Sequence, residues 1–406
     1  MRSVLGFSIG LRGWSIVFGA VVSLVLRGGG ASAKECGGAR PCECGDRVVE
    51  GTRLETDLGP CPGEGLRLVA PVSLDGGGHV IRGSRRPDTG GIVVTEKASG
   101  GFLQNVEVTG FERGIRLVGA KGVQLTNIQS HHNGDVVAHV GYGIDVAGGS
   151  SSNRIERSRI HDNADEGIHF GSQSRGNRLA HSEIRDNFRE NVYFLESAEN
   201  VVEDCEVRGG GNDSFYVKNS RGTILARNRI ADRPLTVRGS STGTQLIDNQ
   251  LSGAALVLRD YRDRGGNPLV PARTVLRGGR IEGAKVCIRS DAGTDTTVEG
   301  VQLDCPDQLV LSGESSVAAV GQRIKVRCNG GGELREAEIA DTPGALAVTG
   351  RADGPGVPRV TSIRRCPDLV RETVVPTGET ESVAAPATPE AKAAASGLRR
   401  RVRGGR

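Results

Sequence analysis

Polar and aromatic side chains recur at one position in successive short apolar segments of the chain. The runs GIDV, GIHF, NVYF and SFYV each hold one such residue between two apolar ones, and these residues are Asp145, His169, Tyr193 and Tyr216. Histidine titrates near neutral pH, and tyrosine or aspartate can hold or release a proton beside it. Together, such groups can remove a proton from a carbon beside a carboxylate and return one. We therefore predict that these four residues form a catalytic group.

Six flanking residues have types that suit a groove for a sugar chain bearing carboxylates. The cationic side chains of Arg116 and Lys218 would offset the negative charge of the substrate. The predicted substrate-binding residues are Arg116, Tyr142, Glu166, Glu190, Asp213 and Lys218. Taken singly, the three acidic residues are typical of solvated turns. The aromatic and charged residues could equally be ladder contacts that stabilise an exposed sheet face.

Two other chemistries are open to these acidic residues. Glu166 and Glu190 could hydrolyse a glycoside if suitably spaced, although no motif supports it. The runs HDNADE and RDNFRE offer oxygen ligands from Asp162, Asp165 and Asp186, so calcium is a candidate cofactor that would bridge a uronate to the groove. Turn polarity explains the same residues without a metal, and the sequence assigns no residue as a metal ligand.

Internal repeats indicate how these residues are positioned. Segments such as NRIERSRIHDN and NRLAHSEIRDN each contain two apolar residues five positions apart. The second apolar residue recurs at Val108, Ile128, Ile160, Ile184, Val207, Ile230, Leu251, Ile281 and Leu303. Short β segments with no helical period between them indicate a coiled sheet whose turns bury their apolar residues against one another. His131 and His132 lie in the longest interval, which we interpret as a loop that could close over the groove.

Strand geometry predicts which side chains face outside. Successive side chains alternate between the two faces of a strand, so His169 faces outward if Ile168 and Phe170 fill the interior. Applied to every turn, this predicts an outward column that consists of Arg116, Asp145, His169, Tyr193, Tyr216, Thr236, Val257 and Cys287. Neighbouring strands lie about 4.8 Å apart, so Asp145 through Tyr216 would form a strip about 14 Å long. Such a strip can contact two or three sugar units.

The repeat signature over residues 66–330 resembles that of the right-handed parallel β-helix families. These include pectate lyases, mannuronan epimerases and the periplasmic protein accessory to nitrous oxide reductase maturation. The resemblance implies an all-β chain that forms a right-handed parallel β-helix, a β-solenoid of about nine to eleven turns. The accessory relatives suggest copper, which would favour clusters of histidine, cysteine or methionine, and the only methionine is Met1.

The stretch HVGYGIDVAGG resembles the mannuronan epimerase signature. The signature's tyrosine, glycine and aspartate are matched by Tyr142, Gly143 and Asp145. Its proline and histidine are replaced by Val146 and Ala147. We therefore predict that His169, one turn along, substitutes for the missing histidine.

The start of the chain is typical of an exported protein. Residues 1–33 contain a basic start, an apolar run and small residues before Lys34, which predicts a cleaved signal peptide. No later segment is as apolar, so no transmembrane segment is expected after cleavage. We predict a secreted or periplasmic protein, in which disulfides persist. Residues 34–65 form a Cys-rich N-terminal cap in this interpretation, with Cys44–Cys61 as the preferred bridge and Cys205 as the cysteine left unpaired.

The C-terminal part differs in composition from the repeats. The repeat fades after residue 330, so residues 331–366 are predicted to form a C-terminal cap. Residues 367–406 are predicted to be a disordered Ala/Pro-rich tail with a basic end. The net charge of +4 comes from arginines at the two ends of the chain, so the body gives no support for nucleic-acid binding. The sequence sets no oligomeric state.

These observations predict an exported, carbohydrate-active β-helix protein. It would bind an acidic polysaccharide along the outward column and could act on it as a lyase or epimerase. The alternative is a non-catalytic β-helix that serves as a surface adhesion or structural module.

Overall fold

The alternation of apolar and polar residues makes almost every short segment of the chain a strand. The computed structural model describes residues 33–312, 315–320, 322–330, 333–340 and 346–348. Within those ranges the secondary structure is all β, apart from one 3₁₀ turn at Glu96–Ala98. No helix in this part of the chain is long and apolar enough to span a bilayer.

The strands are short and follow one another closely along the chain. The first twenty are β1 (Glu35–Cys36), β2 (Asp46–Val48), β3 (Thr52–Arg53), β4 (Leu58–Cys61), β5 (Leu66–Leu68), β6 (Ser73–Asp75), β7 (Val80–Gly83), β8 (Gly90–Thr95), β9 (Phe102–Thr109), β10 (Arg113–Val118), β11 (Gln124–His131), β12 (Tyr142–Ala147), β13 (Arg154–Glu156), β14 (Arg159–His161), β15 (Ile168–Phe170), β16 (Arg178–Ala180), β17 (Glu183–Arg185), β18 (Val192–Leu195), β19 (Val201–Glu203) and β20 (Glu206–Arg208). The others are β21 (Phe215–Lys218), β22 (Ile224–Ala226), β23 (Arg229–Ala231), β24 (Leu235–Arg238), β25 (Gln245–Ile247), β26 (Gln250–Ser252), β27 (Leu256–Arg259), β28 (Tyr261–Arg262), β29 (Pro268–Leu269), β30 (Val275–Arg277), β31 (Arg280–Glu282), β32 (Val286–Ser290), β33 (Thr296–Glu299), β34 (Gln302–Asp304), β35 (Asp307–Ser312), β36 (Val317–Val320), β37 (Arg323–Gly330), β38 (Glu333–Ala340) and β39 (Leu346–Val348).

Two walls of parallel strands enclose the core. The front sheet consists of β1, β2, β5, β8, β10, β12, β15, β18, β21, β24, β27, β32, β35, β37 and β38. All its pairs are parallel except the last, β37 with β38. The back sheet contains the other strands, except that β28 and β29 form a separate antiparallel hairpin. Each turn crosses from the front sheet to the back sheet and returns one strand further along the axis.

Apolar residues at equivalent positions of successive turns stack on one another and fill the interior. Ile144, Ile168 and Val192 are direct neighbours in the front sheet, and all three are fully buried. The rings of Phe170 and Phe194 stack one turn apart, with centroids 5.0 Å apart and planes 7° from parallel. These parallel ladders confirm the predicted parallel β-helix. Its turns number about 12, rather than nine to eleven, because strands of residues 34–65 already pair in parallel with the next turns.

Buried asparagine side chains form a ladder where the chain turns into the back sheet. The side-chain oxygen of Asn177 accepts hydrogen bonds from the backbone and side-chain nitrogens of Asn153, at 3.0 and 2.9 Å. Its amide nitrogen donates to Asn200 at 3.0 Å and to the carbonyl of Ser150 at 3.1 Å. The amide of Asn177 thus links polar groups of its two neighbouring turns and accepts from the buried backbone N–H of Asn153.

Three disulfides are present among the described cysteines, which indicates an exported protein. The bridge Cys44–Cys61 was predicted and is confirmed. A second bridge near the N-terminus links Cys36 to Cys42. The third bridge, Cys287–Cys305, links consecutive turns. Cys205 is buried and free, and burial raises the pKa of its thiol to about 12. That shift keeps the thiol protonated and unreactive.

Two sequence assignments within the repeats were wrong by a short register shift. Ile128 was placed among the second apolar residues, but Ser130 pairs with Val108 and Ile160. Ser130 is a polar residue in a buried column, satisfied by its hydrogen bond to the carbonyl of Gly143 at 2.8 Å.

Cys287 was placed in the outward column, but its side chain is fully buried in a disulfide. Arg289 instead pairs with Val257 and takes that position. The hairpin of β28 and β29 is inserted between β27 and β32 and lengthens this turn. The sequence alignment of the two strands was therefore two residues out of register. The predicted signal peptide over residues 1–33, apart from its last residue, lies outside the described residues, as do the tail 367–406 and most of the predicted cap 331–366.

Replacing Asn177 by alanine tests the ladder. The change leaves the buried backbone N–H of Asn153 without its acceptor, and such a group costs about 1–3 kcal/mol. We expect the free energy of unfolding, measured by urea denaturation, to fall by about 1–3 kcal/mol. Gln250→Ala, at an exposed amide of β26, is the control and should change it by less than about 0.5 kcal/mol. Equal effects of the two variants would contradict a stabilising role for the ladder.

Candidate functional site

The outward column is continuous on the face of the front sheet that points away from the core. Arg116 pairs with Asp145, Asp145 with His169, His169 with Tyr193, and Tyr193 with Tyr216. The register continues to Thr236 and Val257. The structure therefore brings together the four residues predicted as catalytic, in consecutive turns and in chain order.

Asp145 fixes the position of the imidazole of His169. Nδ1 of His169 lies 3.1 Å from Oδ1 of Asp145. The other carboxylate oxygen, Oδ2, lies 3.3 Å from Nε of Arg116 and 3.6 Å from Nε of Arg113. Asp145 is only 3% exposed, so these contacts form in a largely dry environment. A carboxylate accepts hydrogen bonds, so in the neutral imidazole Nδ1 carries the hydrogen and Nε2 keeps its lone pair.

The imidazole lies between two phenol rings. Its centroid is 5.0 Å from that of Tyr142 and 5.5 Å from that of Tyr193. Tyr193 in turn contacts Tyr216, with ring centroids 5.3 Å apart. Below the imidazole, a Cβ placed on Gly171 would come within 2.9 Å of Cε1 of His169. The ring is thus held on three sides, by two aromatic rings and by the backbone of Gly171.

A buried acidic cluster adjoins this column just before two front-sheet strands, β15 and β18. Asp165, Glu166 and Glu190 are 3%, 2% and 4% exposed. Arg189 reaches all three, with its Nη1 3.1 Å from Asp165 and 3.7 Å from Glu166, and its Nε 3.6 Å from Glu190. The interpretation of Glu166 and Glu190 as solvated turn residues was therefore wrong, because neighbouring turns and Arg189 cover them.

A second asparagine ladder positions the acidic cluster. Asn163 and Asn187 stand two residues before Asp165 and Arg189, and their side chains bond to each other at 2.9 Å. Gly167 follows the cluster in the chain. A Cβ there would come within 2.5 Å of the amide nitrogen of Asn187, so only glycine permits this close approach. The ladder and the glycine hold successive turns in one register, which places carboxyl groups of neighbouring turns side by side.

Burial shifts the protonation of these groups. Burial, followed by repulsion from Asp165 and Glu190, raises the pKa of Glu166 to about 9, so this carboxyl is protonated at neutral pH. Burial also raises the pKa of Asp165 and of Glu190, against the attraction of Arg189. A protonated Glu166 can donate a hydrogen bond, in particular to Asp165 beside it.

The two phenols beside His169 stay protonated over the physiological range. Burial raises the pKa of Tyr142 and of Tyr193 above the usual tyrosine value. When Glu166 is ionised, its negative charge raises both pKa values further. Each phenol therefore retains an O–H group that can donate a proton or a hydrogen bond.

The remaining predicted binding residues have partners within the protein. Lys218 places its ammonium 4.2 Å from the ring centroid of Tyr261, at the end of the strip. Arg238 donates a hydrogen bond of 3.0 Å to the hydroxyl of Tyr216. Asp213 accepts a hydrogen bond from Thr236 at 2.5 Å, and burial raises the pKa of its carboxyl to about 6.

The structure separates the three aspartates that the sequence offers as oxygen ligands. Asp162 pairs with His161 at 2.7 Å, and Asp186 pairs with Arg185 at 2.9 Å. Only Asp165 lies in the acidic cluster.

The histidine pair predicted on a loop lies elsewhere too. His131 ends β11 in the back sheet, stacks on His161 and contacts Glu107 at 3.0 Å. The loop that follows does approach the acidic cluster, because the ring of its His139 stacks on Phe188, the residue before Arg189.

Sequence reasoning missed three residues that shape the site. These are Arg113, Gly171 and Arg189. A signal for Arg189 was available, because aligning HDNADE with RDNFRE places it opposite Asp165 and places Glu190 opposite Glu166. Opposite charges in neighbouring turns of a parallel sheet lie about 4.8 Å apart, within reach of an ion pair.

The raised pKa of Asp213 predicts a pH-dependent stability difference. The folded-state pKa of about 6 exceeds the ordinary 3.8, so stability is lost as the pH rises through this interval. Asp213→Asn removes the charge and keeps an acceptor for Thr236. We expect the variant to be more stable than wild type above pH 6, by up to about 3 kcal/mol, and equally stable below pH 4.

Denaturant unfolding across pH measures this difference. Asp263→Asn is the matched control of opposite sign, because hydrogen bonds from Asn267 lower the pKa of the exposed Asp263. That variant should lose stability at neutral pH and none in acid. A constant difference between Asp213→Asn and wild type across pH would contradict the shift.

Comparisons with known proteins find one matching family and several similar solved structures. Residues 77–266 match the family described as "Periplasmic copper-binding protein (NosD)". Among solved structures, the chain is similar to the periplasmic alginate epimerase AlgG, at 14% identity over 66% of this chain and 73% of that chain, with a TM-score of 0.45. The Agl-KA catalytic domain is similar at 12% identity, covering 68% and 61%, with a TM-score of 0.46. Pectate lyase Pel9A is similar at 13% identity, covering 64% and 70%, with a TM-score of 0.37.

The chain therefore spans less than two thirds of the Agl-KA catalytic domain. Comparison with curated proteins gives no significant match. The parallel register through both sheets, together with the family match over residues 77–266, identifies the chain as a right-handed parallel β-helix protein.

Proposed function

We propose that the outward column binds an acidic polysaccharide in the periplasm or outside the cell and removes a proton from a uronate unit, as a lyase or epimerase. The observation that carries this proposal is the contact of 3.1 Å between His169 and Asp145, with a phenol ring on each side of the imidazole. Export is supported by the disulfides and the predicted signal peptide, and by a matching family that is described as periplasmic.

His169 is the proposed base. Asp145 holds the hydrogen on Nδ1, which leaves the lone pair on Nε2 to accept a proton. Asp145 also stabilises the imidazolium that forms, while Arg116 and Arg113 keep this aspartate in place. The proton removed is the one on C5 of the uronate, the carbon next to the carboxylate. Its electron pair becomes an enolate that the carboxylate shares.

Tyr193 is the proposed proton donor. In elimination, the electron pair forms a double bond between C4 and C5, the glycosidic C4–O bond breaks, and the phenol protonates the leaving oxygen. In epimerisation, a proton returns to C5 from the opposite face and no bond of the chain breaks. Both routes need a phenol that is protonated in the resting site, and burial of Tyr193 ensures this.

Cationic residues along the same sheet face suit a polyanion. The register of the outward column extends from Arg116 through Val93 to Arg67 and Arg47. At the other end lie Lys218 and Arg238, on neighbouring strands. A chain of uronates that follows the column would therefore meet positive charge on both sides of His169.

Copper, which the description of the matching family names, does not fit this groove. Copper favours nitrogen and sulfur donors, whereas the three-residue group with metal-ligand spacing in the described chain contains carboxylates alone. The histidines of the back sheet have protein partners: His131 contacts Glu107 and His132, and His161 contacts Asp162. We assign copper no part in the proposed reaction.

Replacing His169 by alanine tests the proposed base. Wild-type protein should produce unsaturated chain ends, detected by ultraviolet absorbance, or altered epimer ratios, detected by NMR, from alginate, pectate or a related uronate polymer. We expect His169→Ala to lower turnover by about 10²–10⁴-fold. His79→Ala is the matched control, because His79 also contacts an aspartate, Asp57, at 3.1 Å and lies outside the column.

Absence of turnover by wild type on every uronate polymer would exclude catalysis. A glycan array would then separate a binding module from a purely structural one. Unchanged turnover in His169→Ala would exclude this histidine as the base.

Replacing Gly171 by alanine tests the position of the imidazole. The added Cβ would lie 2.9 Å from Cε1 of His169, and the flanking rings prevent a sideways shift, so the ring must tilt. We expect kcat to fall by about tenfold or more, since misplacement by an ångström can cost 10²-fold, with KM little changed. Gly63→Ala, where an added Cβ meets no atom within 4 Å, should leave both constants unchanged. An unchanged kcat in Gly171→Ala would contradict the positioning.

A further inference from the structure

The three carboxyl groups of the acidic cluster converge on one point. One oxygen of each of Asp165, Glu166 and Glu190 lies within 4.8 Å of the others. The three residues come from two consecutive turns, and the parallel register rather than a flexible loop holds them together. Each is at least 96% buried, so water screens their mutual repulsion poorly.

A second observation concerns the oxygens that the protein leaves without donors. Oε2 of Glu166 is buried and has no hydrogen-bond partner in the described structure. Oε2 of Glu190 also has none, although Nε of Arg189 lies 3.6 Å away. Buried polar atoms are almost always satisfied, so two such oxygens in one cluster point to a missing ligand.

We propose that Asp165, Glu166 and Glu190 bind a hard divalent cation, for which calcium is the probe. Carboxylate oxygens are the donors that hard cations prefer, and Ca²⁺ accepts mono- or bidentate carboxylates in a flexible geometry. Charge supports the assignment. The guanidinium of Arg189 offsets one of three negative charges when all three carboxyl groups are ionised, and a divalent cation would offset the other two.

This ligand set differs from the oxygen ligands that the sequence offers, which are Asp162, Asp165 and Asp186. Asp162 and Asp186 are excluded because they pair with His161 and Arg185. Glu166 and Glu190 replace them, because one oxygen of each lies within 4.8 Å of an oxygen of Asp165. The cation would lie near the outward column, because Glu190 stands three residues before Tyr193 in the same turn.

The cation site has a consequence that rests on the proposed function. A uronate carboxylate approaching His169 would be repelled by the acidic cluster, and a bound cation would turn this repulsion into attraction. Calcium would then bridge the sugar chain to the groove and hold the reacting carbon near Nε2 of His169.

Calorimetric titration of the full exported chain with CaCl₂, after chelator treatment and without polysaccharide, tests the site alone. We expect saturable binding with one ion per chain. Glu166→Gln and Glu190→Gln preserve side-chain size and should each weaken binding at least tenfold. Asp162→Asn and Asp186→Asn are the matched controls and should bind calcium as wild type does. Circular dichroism and thermal unfolding establish that every variant is folded.

Three results would overturn the proposal. These are no heat of binding at millimolar calcium, equal loss of affinity in the control variants, and copper that binds more tightly than calcium and is lost in Glu166→Gln. Wild-type protein that binds calcium with the expected variant pattern but modifies no uronate polymer would support the cation site and refute only the proposed catalysis.

Discussion

The parallel register between turns is the constraint on which the other features depend. Hydrogen bonds between turns hold equivalent residues about 4.8 Å apart, so any residue type repeated in the sequence becomes a column in space. Apolar repeats such as Ile144, Ile168 and Val192 fill the interior in this way. The same rule brings the residues that follow two of them, Asp145 and His169, into contact on the outer face of the sheet.

This constraint also explains how the protein tolerates a buried acidic cluster. Carboxyl groups on neighbouring turns cannot move apart without breaking the ladder that joins Asn163 to Asn187. Many hydrogen bonds along the axis oppose that separation, and each contributes about 1 kcal/mol. Repulsion is instead relieved locally, by Arg189 and by a proton on Glu166. A group kept in an unfavourable protonation state by a rigid scaffold is characteristic of functional sites.

Period and alternation were sufficient to predict a coiled sheet and the outward position of His169, whereas the right-handed parallel β-helix was predicted from the family resemblance. Period and alternation depend only on the order of apolar and polar residues along the chain, which can be read without knowledge of contacts. Prediction failed where the sequence departed from this regular order of apolar and polar residues. Ser130 occupies an apolar column through one internal hydrogen bond, and an inserted hairpin shifted the register at Cys287. The burial of Glu166 was not predictable by these rules, because it depends on coverage by two other turns.

Asp145 and Glu166 differ in how their surroundings balance a negative charge, and this difference separates their roles. Asp145 is buried but contacts two guanidinium groups and the imidazole, so its charge is balanced where it stands. Glu166 is equally buried, has a single distant cation, and lacks a donor to one oxygen. A balanced carboxylate suits the fixed task of orienting a base, because nothing else needs to bind for it to function. An unbalanced one remains available to a proton or a cation, so the groove can respond to its ionic surroundings while the imidazole beside it stays in place.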